Sequence, residues 1–388
     1  MSRDCRSARP RSPDLERYRV LTKWALLSYV AFRETLMIDF RSDTVIEPTK
    51  EMRRAMAEAP VGDDFYADDP STRALEEFAA ECLGKQSALF TPTGVIANAL
   101  GLLGHGLRPD GPRAVLMDEQ AHVNLREMSP LSSIAFIEPT FTGAPLGPDA
   151  EAVEAWLRSL SSPEEAVIVL ENTNTNRCGK VVPLDRMLDV YEVASRFGAR
   201  VHLDGTRLFN AAVVQNTGLA DLAAAADTVV INLCKGLGAP VGAILAGPDT
   251  LIAQARELRK TLGGTMRRSG HMAAAGLVAL KGGWEHMRDD HRRARDLASG
   301  LATEIDSIRL DTESIESNIV MFDPTPLGVD AEAFAASARK AGIIMSWQAP
   351  DAARLVVHRD ISDDDITAAV SILSDVASGI ARGNNSGN

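Results

Sequence analysis

The feature that most constrains the fold is a pair of strand-like runs, each leading to a charged residue followed by glycine. Residues 201–203 precede Asp204, and residues 228–233 precede Lys235 with one cysteine between. The carboxyl ends of parallel strands open onto one edge of an α/β sheet. We therefore expect Asp204 and Lys235 to lie at neighbouring strand ends.

A lysine and an aspartate in one apolar site suit pyridoxal phosphate (PLP). The lysine amine can hold the cofactor covalently, and the carboxylate keeps the pyridine nitrogen protonated, so that the ring accepts electrons. Taken singly, Lys235 fits a solvated loop and Asp204 fits a turn. The pair is more informative, because Lys235 lies between an apolar strand and the turn-forming sequence GLGAP.

Strand-like runs alternate with helical patterns over much of the chain. Strands are predicted at residues 114–117, 134–137, 167–170 and 241–245, and helices at 48–59, 71–83, 150–160 and 184–197. Residues 87–104 are predicted to form a strand, a turn and a helix. This alternation predicts an α/β fold with a largely parallel, doubly wound sheet. From about residue 286 a long charged helix is followed by short strands and helices, which indicates a small α+β domain.

The pattern divides the chain into four parts. We expect a PLP-binding large domain over residues 37–285 and a small domain over 286–380. Residues 1–36 are arginine-rich, and we interpret them as a disordered extension, an upstream start or an amphipathic arm that packs on a partner subunit. Residues 381–388 contain GNNSGN and are predicted to be a disordered tail.

Composition excludes several classes of partner. A formal net charge of −12 argues against nucleic acid and anionic membranes, which require a basic surface. No apolar run approaches the roughly 18 to 20 residues that span a bilayer. The four cysteines are widely spaced and show neither a zinc pattern nor a disulfide framework. We expect a soluble cytoplasmic protein without a metal site.

Seven motifs, in order along the chain, resemble those of the low-specificity L-threonine aldolases of PLP fold type I. They are FRSDTV (40–45), VGDDFYADDPS (61–71), TPTGVIAN (91–98), LDGTRLFNA (203–211), CKGLGAPVG (234–242), LGGTMRRSG (262–270) and RLVVHRDIS (354–362). The resemblance implies an aspartate aminotransferase-like large domain with a mostly parallel seven-stranded sheet. It also implies cleavage of a β-hydroxy-α-amino acid, such as L-threonine or L-allo-threonine, to glycine and an aldehyde.

The resemblance also assigns the cofactor contacts to positions in this sequence. Lys235 would hold PLP, Asp204 would pair with the pyridine nitrogen, and Arg207 would lie near the ring hydroxyl and the substrate. His122 would stack on the ring and act as the base, although a histidine after a strand is often purely structural. The phosphate would bind at a predicted helix N-terminus, where backbone N–H groups converge, formed by Thr93, Gly94 and Val95.

Substrate contacts are assigned in the same way. Ser42 and Arg354 would bind the substrate carboxylate, Arg354 through a bidentate charge pair. Tyr66 and Arg267 would line an active site across a subunit interface, in a homotetramer of paired dimers. The alternative is that Arg354 is a solvated strand-end residue, that Arg267 is surface charge and that Tyr66 only packs within its loop.

The sequence departs from the family pattern in three places, one of which is Thr206, where alanine is common. In ENTNTNRCG (171–179), Asn174 or Thr175 stands in the region where many relatives have a second histidine. Cys234 replaces the serine that commonly precedes the lysine, and we interpret it as a small space-filling residue. These changes leave the substrate side chain and the stereochemical preference at Cβ open.

Two other functions fit the same sequence. One is a β-eliminating lyase or another reaction at Cα, because PLP permits several bond cleavages and only the orientation of the substrate selects among them. The other is a non-catalytic relative that binds PLP or a partner protein. A reactive lysine aligned with Asp204, Arg207 and Arg354 argues against the second alternative.

Overall fold

A seven-stranded sheet forms the centre of the computed structural model, which describes residues 37–106, 114–127, 138–144 and 146–385. The strand order is β2-β8-β7-β6-β5-β3-β4, and β8 runs in the direction opposite to the other six strands. The strands are β2 (Ser87–Thr91), β3 (Ala114–Asp118), β4 (Glu138–Thr142), β5 (Val167–Glu171), β6 (Arg200–Gly205), β7 (Thr228–Asn232) and β8 (Ala243–Gly247). The predicted mostly parallel seven-stranded sheet is confirmed.

The central strands are apolar because helices cover both faces of the sheet. Every residue of β5 (VIVLE) and β7 (TVVIN) is buried, which is the pattern of parallel strands that are covered on both sides. The helices of this part are α1 (Lys50–Glu58), α2 (Pro70–Leu83), α3 (Gly94–Gly104), α4 (Ala150–Ser159), α5 (Leu184–Arg196), α6 (Leu208–Gln215), α7 (Leu219–Ala224), α8 (Asp249–Thr261) and α9 (Gly270–Lys281). The helices that the sequence predicted here are all present.

The C-terminal part has its own core. Strands β9 (Ile319–Phe322), β11 (Ser346–Ala349) and β12 (Ala352–Val356) form an antiparallel sheet, and helices α10 (Met287–Glu304), α11 (Ala331–Lys340) and α12 (Asp363–Asn385) pack with it. Helix α12 begins with a capping box, because Asp365 N donates to Ser362 Oγ at 3.1 Å and Ser362 N donates to Asp365 Oδ2 at 2.8 Å. The predicted small α+β domain is therefore present.

The ends of the described chain differ from the sequence prediction in two respects. Strand β1 (Ile38–Asp39) pairs with β10 (Ile343–Ile344), and Ile38 and Phe40 pack in the C-terminal core although the sequence placed them in the large domain. Helix α12 extends to Asn385, past the predicted tail boundary at 381. A helix already fixed by packing gains residues at little further cost, so composition alone misplaced that boundary.

Two predicted segments, residues 1–36 and the strand at 134–137, lie outside the described residues. Strand β4, immediately after the second of these, was not predicted as a strand. Its sequence, EPTFT, contains proline, which is confined to edge strands, and β4 is the edge of the sheet. Among the described residues, no helix is both long and apolar enough to cross a bilayer.

Candidate active site

Asp204 and Lys235 lie at neighbouring strand ends, as the sequence predicted. Asp204 is the fifth residue of β6, and Lys235 follows β7, which pairs with β6. The turn after Lys235 is closed by a hydrogen bond from Gly238 N to Lys235 O at 2.7 Å. Gly238 has a φ of +71°, a conformation that residues with a side chain rarely adopt, so the GLGAP sequence fixes the position of the lysine.

The surroundings of Lys235 favour the neutral form of its amine more than water does. Burial, together with the positive charge of Arg207, lowers the pKa of the Lys235 amine to about 8, against the opposing charges of Asp43, Asp204 and Glu171. Within the described residues, its amine makes no hydrogen bond or salt bridge. A substantial neutral fraction near neutral pH makes it a competent nucleophile toward an aldehyde such as PLP.

Asp204 is a fully buried carboxylate, and no cationic side chain of the described residues is bonded to it. Its Oδ2 accepts from Asn98 Nδ2 at 3.2 Å, and its Oδ1 accepts from the backbone N of Thr206 at 3.1 Å. Both donors are uncharged, so the negative charge stays available. A protonated pyridine nitrogen is a suitable partner for a carboxylate in this state.

His122 is held by a buried carboxylate that the sequence analysis missed. Its Nδ1 lies 2.7 Å from Oε1 of Glu127, and its backbone N donates to Oε2 of Glu171 at 2.8 Å. Burial lowers the pKa of His122, but the hydrogen bond to Glu127 and the charges of Asp204 and Glu127 outweigh it and raise the pKa above its usual value. A spacing of five residues does not bring two side chains together on an α-helix, so the sequence carries no signal for Glu127. A π-helical turn over Val123–Glu127 aims it at the His122 ring.

Glu171 connects the His122 segment to the segment that lacks the family histidine. Its two oxygens accept from the backbone N of His122 and from the backbone N of Thr175, the latter at 2.9 Å. Burial and the nearby charge of Asp204 raise the pKa of Glu171 to about 7, although both backbone hydrogen bonds oppose the shift. Glu171 therefore fixes two active-site loops through their backbones.

Arg207 is held in place by a second buried carboxylate that the sequence analysis missed. Its Nε and Nη2 donate to the two oxygens of Asp43 at 2.9 and 2.8 Å, and its Nη1 donates to Thr175 Oγ1 at 2.7 Å. Burial would raise the pKa of Asp43, but the charge of Arg207 and its hydrogen bonds lower it to about 2. Thr175, in the region of the missing histidine, thus orients an arginine.

Arg354, like Lys235, has no carboxylate partner within the described residues. Its Nε donates to Ser346 Oγ at 3.1 Å, and its Nη2 donates to the carbonyl oxygen of Arg41 at 3.2 Å. Burial and the charge of Arg207 lower the pKa of Arg354 to about 10. Ser42 is close in sequence to Arg41, and its Oγ accepts from Thr44 N at 3.2 Å. An external carboxylate would complete this group.

The residues predicted to bind phosphate lie at the N-terminus of helix α3. Thr93 caps α3 with its hydroxyl, which accepts from Ile96 N at 3.2 Å, and the backbone N–H groups of Gly94 and Val95 have no partner in the part of the chain that the structure describes. A Cβ added at Gly94 would lie 3.4 Å from the side chain of Asn232 at the end of β7. The open N–H groups therefore lie beside the strand end that leads to Lys235.

Tyr66 and Arg267 lie together, but no contact within the described residues joins them to Lys235 or Asp204. Tyr66 is 70% exposed, and the Arg267 guanidinium lies 4.4 Å from the ring centroid of Phe65 and 5.9 Å from that of Tyr66. The structure thus brings the two predicted residues together on an exposed surface rather than into the Lys235 cluster.

A mostly parallel sheet with a half-buried lysine and a buried aspartate at adjacent strand ends, beside open N–H groups at a helix N-terminus, defines a PLP enzyme of fold type I. Residues 39–325 match the family model described as Beta-eliminating lyase, and the chain belongs to this family. It is accordingly a lyase that uses PLP.

Sequence and structure relatives indicate which group within this family the chain belongs to. The chain is 36% identical over 342 residues to Low-specificity L-threonine aldolase 1 of Arabidopsis thaliana, covering 86% of this chain and 94% of the relative. It is 34% identical over 334 residues to the low specificity L-threonine aldolase of Escherichia coli (strain K12), covering 85% and 96%. Among solved structures, Leishmania major threonine aldolase shares the fold, with a TM-score of 0.72 at 19% identity over 88% of this chain and 99% of that one. The chain belongs with the threonine aldolases.

We expect the substitution Asp43→Asn to destabilise the protein strongly, because it leaves Arg207 as a buried charge without a counter-charge. The expected loss is about 3 to 5 kcal/mol in the free energy of unfolding at pH 7, measured by urea denaturation. Because the pKa of Asp43 is lowered in the folded state, its contribution is present above the usual carboxyl pKa and is lost as the pH falls toward 2.

The control for this prediction is Glu154→Gln, which removes a surface carboxylate paired with Arg158. It should leave the free energy of unfolding nearly unchanged. Equal stability of the Asp43→Asn and Glu154→Gln variants would contradict the buried pair.

Proposed function

We propose that the chain cleaves the Cα–Cβ bond of L-threonine, L-allo-threonine or a related β-hydroxy-α-amino acid, reversibly, to glycine and an aldehyde. The observation that best supports this reaction concerns Arg354, which has no carboxylate partner among the described residues. Arg354 lies within electrostatic range of the Arg207 and Asp43 pair, and this pair adjoins Lys235. This grouping fits an amino acid whose carboxylate binds Arg354 while its Cα lies at the cofactor. The names of the relatives support the same reaction.

Each predicted cofactor residue has a role that its geometry permits. Lys235 would hold PLP, Asp204 would pair with the pyridine nitrogen, and His122 would lie against the ring. The phosphate would bind at the α3 N-terminus, formed by Thr93, Gly94 and Val95. When bound, PLP supplies the electron sink that makes cleavage at Cα possible.

The protein's own groups select which bond breaks. Arg354 and Ser42 would bind the substrate carboxylate and so set the orientation of the Cα–Cβ bond, and Arg207, fixed by Asp43, adds a nearby positive charge. His122 accepts the proton of the β-hydroxyl. Its Nδ1 is engaged by Glu127, and its Nε2 has no hydrogen-bond partner within the described residues.

A base must be neutral, so we expect kcat/KM to fall as the pH drops through the pKa of His122. Glu127→Gln removes the carboxylate charge that faces His122 Nδ1 but keeps a hydrogen-bond acceptor there. The loss of this negative charge lowers the pKa of His122. The acid limb of the pH profile should therefore move to lower pH. Glu119→Gln, an exposed carboxylate in the same segment, should leave the profile in place. An unmoved limb in the Glu127→Gln variant would exclude His122 as the base that this limb reports.

The reaction is tested by its products. The purified protein, loaded with PLP, is incubated with L-threonine or L-allo-threonine, or in reverse with glycine and acetaldehyde, beside Lys235→Ala. We expect glycine and acetaldehyde in the forward direction and new β-hydroxy amino acid in the reverse direction, both abolished in the variant. A keto acid and ammonia instead would favour β-elimination. Bound PLP without turnover of either kind would favour a non-catalytic relative.

We also propose that the exposed surface carrying Tyr66 and Arg267 completes the active site of a neighbouring subunit in a homotetramer of paired dimers. Two arginines, the buried Arg259 and the half-buried Arg256, support its local rigidity. Arg259 donates to Asp64 Oδ2 at 2.6 Å, two residues before Tyr66, and Arg256 donates to Glu76 at 2.6 Å. A cytoplasmic location is supported by the free state of the three described cysteines.

The subunit contribution is tested with Arg267→Ala and Lys235→Ala. Each variant alone should have little activity. When an equal mixture is dissociated and reassembled, half of the dimers should contain one chain of each kind, and one of the two sites in such a dimer has both Lys235 and Arg267. The mixture should therefore recover about a quarter of the wild-type activity per site. Sedimentation should show an oligomer at the assay concentration. A fully active monomer would overturn the proposal.

A further inference from the structure

A chain of buried hydrogen bonds runs from Asp204 away from the cofactor side of the site. Asn98 Nδ2 donates to Asp204 Oδ2, and Asn98 Oδ1 lies 3.2 Å from His202 Nε2. His202 Nδ1 lies 2.8 Å from Thr228 Oγ1, which lies 2.7 Å from Nε2 of His105. Four of these residues are fully buried, so each of their bonds must be made within the protein.

The amide nitrogen of Asn98 lies within hydrogen-bond distance of two carboxylates. Besides its contact with Asp204, its Nδ2 lies 3.3 and 3.2 Å from the two oxygens of Glu127, the residue that binds His122. An amide nitrogen has two hydrogens, and one can point to each carboxylate. Asn98 therefore connects the group assigned to the pyridine nitrogen with the group that holds the ring-stacking histidine.

Only one orientation of the Asn98 amide gives every hydrogen bond in this series one donor and one acceptor. If the Asn98 amide were flipped, its oxygen would face both Asp204 and Glu127, and two carboxylates cannot donate to it while ionised. With the nitrogen facing the carboxylates, Asn98 Oδ1 must accept from His202 Nε2–H. His202 Nδ1 then accepts from the Thr228 hydroxyl, whose oxygen accepts from His105 Nε2–H.

Both histidines are in the protonation state that this order requires. Burial, with the neighbouring His105, lowers the pKa of His202 to about 3, and burial lowers that of His105 to about 4. Each ring is therefore neutral near neutral pH, with one donor and one acceptor nitrogen.

Helix α3 is shaped around the His202 ring. A Cβ added at Gly101 would lie 2.3 Å from Cε1 and 2.7 Å from Nδ1 of His202, closer than any real contact. Glycine within a helix costs about 1 kcal/mol relative to alanine. In return, it lets the ring lie against the same helix that carries Asn98, one turn earlier.

We propose that Asn98 is a positioning residue for both Asp204 and Glu127, and that His202 and Thr228 fix the orientation of its amide. This inference rests on the proposed cofactor roles of Asp204 and His122. A neutral amide between two carboxylates satisfies both without cancelling their charge. The negative charge of Asp204 is thereby left for the pyridine nitrogen, and that of Glu127 for His122.

The test compares buried substitutions that preserve size. Asn98→Leu removes the amide, and Thr228→Val removes only the hydroxyl that fixes the His202 ring. Thr72→Val is the matched control, because Thr72 is equally buried and its hydroxyl bonds Ser269 Oγ at 2.8 Å in another part of the protein. His202→Gln is the conservative variant, which keeps a donor for Asn98, and His202→Phe is the variant that loses it.

For each variant, PLP is titrated into the apoprotein while absorbance and protein fluorescence are followed, and thermal unfolding of the apoprotein is measured. We expect the PLP dissociation constant to rise about tenfold or more for Asn98→Leu and His202→Phe, and about threefold for Thr228→Val. The absorbance maximum of the lysine-bound cofactor should also shift in these variants. His202→Gln should bind more tightly than His202→Phe, and Thr72→Val should match the wild type in affinity and spectrum.

The outcomes separate this inference from the proposed function. If the wild type binds PLP and the folded Asn98→Leu and Thr228→Val variants bind it equally well, with an unshifted spectrum, the positioning role is wrong. The same conclusion follows if Thr72→Val weakens binding as much as Thr228→Val does. If Asn98→Leu does not fold, the isosteric Thr228→Val variant decides alone. A wild type that binds no PLP would overturn the proposed function together with this inference.

Discussion

The site depends on burying the Lys235 amine among opposite charges that nearly balance. Arg207 and Arg354 are the nearby cations, and Asp43, Asp204 and Glu171 the anions. Removing charges from water costs several kcal/mol each unless they are paired and hydrogen-bonded. Arg207 is paired with Asp43, whereas Asp204 meets only neutral donors and Arg354 meets no carboxylate among the described residues. The two incompletely matched charges are the ones that a cofactor ring and an amino-acid carboxylate would complete.

The parallel sheet supplies the geometry for this cluster. Glu171 ends β5, Asp204 lies at the end of β6, and Lys235 follows β7, so three adjacent strands deliver three charged groups to one edge. The C-terminal part contributes from the other side through Arg354, whose strand β12 lies near the chain's first described residues. Sheet register thus sets the distances on which the chemistry depends.

The sequence predicted the groups that end strands or begin helices. Asp204, Lys235 and Thr93 were found because an apolar run stops there, and the family motifs added His122 and Arg354. Asp43 was missed because its partner, Arg207, is 164 residues away in sequence, and no local pattern joins them. Asn98 was missed because a single amide on an apolar helix face carries no signal before its neighbours are known. Glu127 follows His122 closely, but only the irregular helical turn aims it at the ring.

A crystal structure of the protein grown with PLP and glycine would test the central claim most directly. We expect a cofactor ring whose nitrogen lies within hydrogen-bond distance of Asp204, with its phosphate at the N-terminus of α3 and the glycine carboxylate against Arg354. A ring nitrogen that faces solvent, or a glycine carboxylate bound elsewhere than at Arg354, would contradict the account.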